Sequence, residues 1–269
     1  MLVHVGFSAD PDDAFMFWGL ASGTVDRRGF EFEPVVADIQ TLNEWSLEGR
    51  LEVTAMSAAT YPRVHERYAL LPHGASFGSG YGPVVVAREK LSLDELRNEE
   101  IVVPGKLTTA FLVLQMALGG EFPSRVLPFD EILDEVASGR ARVGLIIHEG
   151  QLTYADVGVQ KCLDLGEWWL LETGLPLPLG VNTIRRDLGD AMPTISAILR
   201  ESIDAALSNR VQALEYALGF GRGLDDVRGD RFIEMYVNDL TLDYGDEGRQ
   251  AVRELLERAH AGIQVEWVE

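Results

Sequence analysis

The run V-G-L-I-I-H-E-G at residues 143–150 decides how the chain folds. Leu145, Ile146 and Ile147 follow Val143 and Gly144 without a polar residue, the pattern of a strand buried on both faces, as in a parallel sheet layered by helices. A strand of that kind ending in His148 delivers an imidazole to the carboxyl edge of a sheet, where open α/β folds keep their ligand crevices. Taken alone, a structural histidine satisfied by a nearby carbonyl outweighs the functional reading.

The flanking sequence repeats one logic of strand, turn and helix. Residues 126–127 read as a strand and 129–137 as an amphipathic helix closed by Gly139; residues 101–103 read as a strand, with a helix opened by Thr108 and Thr109 and running to Leu118. Two threonines at a helix start offer hydroxyl and N–H groups to a carboxylate; the plain alternative is one N-cap and one first-turn residue. Beyond the central run, Trp168 and Trp169 fall in a helix. The segment T-G-L-P-L-P-L-G at 173–180 has prolines at alternate positions, which argues against a central strand and predicts an extended connector.

The N-terminal third has the same grammar. A strand at 2–7 enters S-A-D-P-D-D at 8–13, with Asp12 or Asp13 as the expected cap of a helix over 14–21. A half-exposed strand at 29–36 precedes a helix at 39–47 that carries Asn43 and is closed by Gly49. A third strand, 51–56, ends at Met56 and Ser57, just before another helix start. The Ser57 hydroxyl there reads as a hydrogen-bonding group, since no G-x-S-x-G surrounds it. Residues 74–83 read as a glycine-rich loop leading into the apolar strand 84–87, and residues 192–261 as a series of helices. With a crossing near residues 87–91, the chain divides into a large α/β lobe of 1–87 plus 179–269 and an inserted smaller α/β lobe of 88–178.

Composition narrows the function. Acidic residues number 43 against 23 basic ones, for a net charge of −20, and no basic run interrupts that field. Nucleic acid and anionic membrane surfaces are therefore unfavourable partners. Cys162 is the one cysteine, so neither a disulfide framework nor a thiolate metal site is expected, and it reads as a buried structural thiol. The start lacks a secretory signal pattern and no apolar run reaches spanning length, which points to the cytoplasm. His148 and Glu149 do not extend to H-E-x-x-H because Leu152 holds the place of the second histidine, and no dinucleotide or phosphate loop occurs. Neither a metal nor a cofactor is expected. One imidazole and several hydroxyl groups at helix starts suit proton abstraction, or plain capture of a small carboxylate.

A series of motifs then carries a resemblance: S-x-x-P-x-D-x-F at 8–15, T-L-N-x-W-x-L-E-G-R-L at 41–51, Ser57, G-P-V-V-V-A at 82–87, V-P-G-x-x-T-T-A at 103–110, G-L-I-I-H-E at 144–149, and L-G-x-W-W with T-G-L-P-L-P-L-G within 165–180. In their order the chain resembles the 1,4-dihydroxy-6-naphthoate synthases of the futalosine route to menaquinone. The resemblance implies a two-lobed type II periplasmic-binding-protein-like α/β fold with a ligand cleft between the lobes. It also implies a cofactor-free carbon–carbon lyase acting on cyclic dehypoxanthine futalosine, a small carboxylate. His148 takes the role of the base, and Ser57 with Met56, Thr108, Thr109, Asn43 and Asp13 the role of substrate contacts. Asp10, Asp12 and Ala14 stand where the family's usual first loop has cysteine, asparagine and threonine, and Ala55 stands where many members carry lysine. A non-catalytic carboxylate-binding protein of the same fold and the sister chorismate dehydratase are the alternatives.

Overall fold

The computed structural model describes residues 1–221 and 225–269. Among the described residues the strands are β1 (Leu2–Ser8), β2 (Glu31–Ala37), β3 (Val53–Ser57), β4 (Tyr68–Leu70), β5 (Ser76–Gly78), β6 (Val84–Ala87), β7 (Ile101–Val103), β8 (Ser124–Val126), β9 (Val143–Ile146), β10 (Gln160–Asp164) and β11 (Leu177–Arg185). The chain divides into two compact units, Met1–Phe77 with Pro178–Glu269, and Gly78–Leu177.

The first unit is built on a sheet of order β2-β1-β3-β11-β4, with β5 paired to β11. β1 runs parallel to both β2 and β3, so three strands end at one carboxyl edge. β11 returns antiparallel between β3 and β4. On one face Val3, Val5 and Phe7 pack with Phe15, Met16 and the buried stripe Ile195, Ile198, Leu199 and Ile203 of helix Met192–Ser208. That stripe has helical spacing, and each such side chain contributes roughly 1.5–3 kcal/mol by leaving water. Ser202 Oγ on this helix donates to the Met16 carbonyl at 2.9 Å and accepts from Leu20 N at 3.1 Å. The approach requires glycine at 19, where a Cβ would come within 2.7 Å of the Ser202 Cα. On the opposite face, helix Ile39–Glu48 lays Leu42 on Leu51 and Ala55. Asp38 caps its start and Gly49, at φ 73°, closes it.

The second unit holds a sheet of order β10-β6-β9-β7-β8. β9, the strand of the quoted run, sits at its centre, parallel to β7 and antiparallel to β6, with every residue buried. Gly144 is required there: a Cβ would meet Ile132 Cγ2 at 2.7 Å and Val136 Cγ2 at 2.8 Å. Its absence lets helix Phe129–Ala137 press Ile132 and Val136 onto Val84, Val86, Val102 and Ile146.

The structure departs from the sequence reading in four places. β6 pairs with β9 and β10, so the strand expected to close the first unit lies inside the second sheet. The segment 173–180 is not wholly connector: β11 begins at Leu177 and contains Pro178, which precedes the start of its ladder with β3 at Gly180. The first helix starts at Pro11, capped by Asp10 rather than by Asp12 or Asp13. Cys162 is half-buried, on the edge strand β10 where the register shifts between Lys161 and Leu163.

Candidate functional site

The carboxyl edge of the first sheet collects Ser8, Asp10, Asp12, Asp13 and Ser57, all buried. The Asp10 side chain accepts from Asp13 N at 3.2 Å, and Asp13 Oδ2 accepts from Ser8 N at 2.7 Å, so helix cap and strand end are tied together. Ser76 Oγ, on β5, donates to Asp12 Oδ2 at 2.8 Å. One ligand atom from each aspartate lies within 4.8 Å of the others, and these three side chains are the group among the described residues that could hold a cation. Burial first, and then the neighbouring Asp10 and Asp13 charges, hold the Asp12 carboxyl well above the usual carboxylate range. A proton there relieves the repulsion a cation would otherwise relieve. The sequence showed no metal pattern because the three fall in one capping turn, not at the i, i+4 spacing of a ligand helix.

Ser57 ends β3 and precedes the 3-10 turn Ala58–Arg63. Its N–H donates to Asn43 Oδ1 at 2.8 Å, and its Oγ receives Asn43 Nδ2 at 2.9 Å. Asn43, expected among the ligand contacts, has no exposed surface. It lies beneath Ser57 with its amide spent on that residue, which is also how an asparagine is satisfied inside a helix. Met56 is likewise fully buried, and strand alternation turns it to the opposite face from Ser57.

In the second unit β7, β8 and β9 run parallel and end at one edge. After β7, Thr108 caps helix Thr109–Leu118: its hydroxyl accepts from Phe111 N at 3.1 Å and donates to the Gly105 carbonyl at 2.9 Å. That hydroxyl is occupied by the turn. Thr109 is the first helical residue and is buried. After β8 comes Phe129, whose ring stands edge-on to His148 with centroids 4.7 Å apart and planes at 67°. His148 follows β9 by two residues at φ 52°, in the left-handed region. An L-residue pays roughly 1–2 kcal/mol for that backbone, a cost that collects at functional positions. The turn then starts helix Gly150–Thr153, with Gln151 N donating to the His148 carbonyl at 3.1 Å.

His148, Thr108 and Thr109 thus share the edge of the second sheet, and Ser57 and Asp13 that of the first. Ser8, Ser76 and Phe129 were missed. Ser8 carries the same signal as Ser57, a serine where a buried strand meets a helix; Ser76 was hidden in a stretch read as loop.

Solved structures of low identity share this fold. They include the alkanesulfonate-binding protein of Xanthomonas axonopodis pv. citri, 10% identical with a TM-score of 0.70 over 99% of this chain and 98% of that one. A Candida albicans protein described as having the generic periplasmic binding protein fold matches at 10% identity and a TM-score of 0.65, over 100% and 98% of the two chains. The chain is an α/β protein of the periplasmic-binding-protein-like class. Within that class the sequence pattern of a family described as menaquinone biosynthesis matches residues 3–261, and the chain belongs to that family. A 1,4-dihydroxy-6-naphthoate synthase of Thermus thermophilus is 42% identical over 96% of this chain and 94% of its own length. Its counterpart in Streptomyces coelicolor is 36% identical over 96% and 93%. A crystal structure of an Archaeoglobus fulgidus protein superposes with a TM-score of 0.90 at 44% identity, covering 97% of each chain. No helix among the described residues is long and apolar enough to cross a membrane.

Proposed function

We propose that this protein is a carbon–carbon lyase that converts cyclic dehypoxanthine futalosine to 1,4-dihydroxy-6-naphthoate in the cytoplasm, with His148 as general base. The observation that carries this reading is the backbone of His148, held left-handed at the carboxyl edge of a buried sheet. A purely structural histidine gives no return for that cost. In its neutral form the imidazole accepts the proton whose removal starts the cleavage, a contribution worth about 10²- to 10⁴-fold in rate. Phe129, standing edge-on to the ring, limits how the imidazole turns. The Ser57 hydroxyl, Thr109 and the N-terminus of helix Thr109–Leu118 supply donors for the substrate carboxylate and for negative charge developing on oxygen. Thr108 serves by fixing that N-terminus. Asp13 ties the first loop to the end of β1 and so shapes the surface the substrate meets.

Incubating the purified protein with cyclic dehypoxanthine futalosine and searching the products by mass spectrometry tests the reading. Dihydroxynaphthoate is the expected product. Tight binding of another carboxylate with no product would assign the protein to non-catalytic capture.

A further inference from the structure

The pair of hydrogen bonds between Asn43 and Ser57 fixes more than a packing contact. A backbone N–H only donates, so the atom 2.8 Å from Ser57 N must be the Asn43 carbonyl oxygen. That choice turns the amide nitrogen toward Ser57 Oγ at 2.9 Å. An amide nitrogen also only donates, so the serine oxygen is the acceptor and its own hydrogen is left over. The 3-10 turn after β3 receives no cap from the Ser57 side chain, and no acceptor for that hydrogen is found among the described residues. Ser57 as a residue is 3% exposed and Asn43 0%. A buried hydroxyl with an unspent hydrogen is a poor packing element and a directed donor.

We propose that Asn43 is a positioning residue that sets the polarity of the Ser57 hydroxyl, so that Ser57 donates to an anionic oxygen of the ligand and does not accept from it. This rests on the reading above in assigning Ser57 to the substrate carboxylate. It moves Asn43 from the ligand contacts, where the resemblance placed it, to the support of one. Selectivity follows from the chemistry: a carboxylate oxygen satisfies the outward hydrogen, whereas an amide or ammonium nitrogen presents a second donor to it.

The test is a double-mutant cycle read by equilibrium binding of 1,4-dihydroxy-6-naphthoate, a carboxylate whose binding needs no turnover, with turnover of the cyclic substrate measured alongside. Asn43→Ala and Ser57→Ala should each weaken binding about tenfold, and the double variant by little more than either, because the asparagine acts through the serine. The same cycle should appear in KM, with kcat moving much less. Asn43→Asp gives the distinctive signature. Its carboxylate takes the Ser57 hydrogen for itself and reverses the bond, so binding is lost at pH 8 and recovers toward pH 5, as the protonated acid again donates to Oγ. The wild type should show no such recovery. Independent, multiplying losses in the Ala cycle overturn the proposal even if Asn43→Asp fails to fold, as does an Asn43→Asp variant that folds and binds like the wild type at pH 8. Multiplying losses alongside normal wild-type turnover leave the lyase reading standing. Coupled losses in binding with no turnover keep the positioning role and sink the lyase. A wild type that neither binds nor turns over sinks both.

Discussion

His148 pays for its backbone, and that cost makes a sharp prediction. Glycine and asparagine tolerate φ near 52° better than histidine does. His148→Gly and His148→Asn should therefore unfold at the same or a higher denaturant midpoint, by up to about 1 kcal/mol, while turnover falls at least 10²-fold. A variant that loses stability and keeps turnover would assign the residue to structure. Asp12 makes an opposite kind of sacrifice. Its folded-state pKa lies above the ordinary 3.8, so the native state holds a proton that the unfolded chain has released. The stability present below pH 3.8 is lost as pH rises through the folded value. Asp12→Asn should raise unfolding stability at pH 7.5 and leave it unchanged near pH 3.5, read from chemical denaturation at the two pH values. His73 runs the other way. Burial, only partly offset by hydrogen bonding with Ser196, brings its pKa down to about 4 from 6.5. Its contribution is present above pH 6.5 and fades as pH falls through 4, on the order of 3 kcal/mol in all. His73→Gln should flatten the stability profile across that window; an unchanged slope would place the acid sensitivity elsewhere. Of these residues, periodicity exposed only the position of His148. The proton on Asp12 depends on burial and on three carboxylates folded into one turn, and is only partly opposed by the hydrogen bond from a serine 64 residues away, none of which a local pattern carries.

At the scale of elements, turn chemistry was more legible than pairing. The helix over 129–137 and the closure at Gly49 follow from apolar spacing and from glycine's freedom at positive φ, both written locally. Partner choice is not local: V-V-V-A at 84–87 reads the same in either unit, and only its hydrogen bonds to β9 and β10 assign it to the second. Pro178 misled for a related reason, since a proline is excluded from a ladder only where its N–H is owed to a neighbour. Thr108 shows the two levels together. The sequence left cap and ligand contact both open, and the structure gives its hydroxyl to Phe111 N and the Gly105 carbonyl. Thr108→Ala should cost about 1 kcal/mol of stability in urea unfolding, with Thr108→Ser restoring most of it. An alanine variant of full stability that binds substrate poorly would show the hydroxyl to be a contact instead.

For the molecule as a whole, a net charge of −20 sets a field that disfavours an anionic substrate at long range, so capture relies on short, directed groups. In the proposed reading those groups are the donors at Ser57, on the edge of the first sheet, and, on the edge of the second, the start of helix Thr109–Leu118 and the His148 imidazole. The fold class was readable because buried strands ending in polar helix starts recur through the chain, and the family because its motifs keep their order from Ser8 to Gly180. The unit boundary and the roles of Asn43 and Asp12 needed coordinates, because each is fixed by a partner far off in sequence. The most direct measurement compares wild type and His148→Asn, matched for folding by circular dichroism, on cyclic dehypoxanthine futalosine with product followed by mass. The wild type should form 1,4-dihydroxy-6-naphthoate and the equally folded variant almost none. Equal product from both would contradict the assignment of His148 as the base, and none from the wild type would contradict the lyase itself.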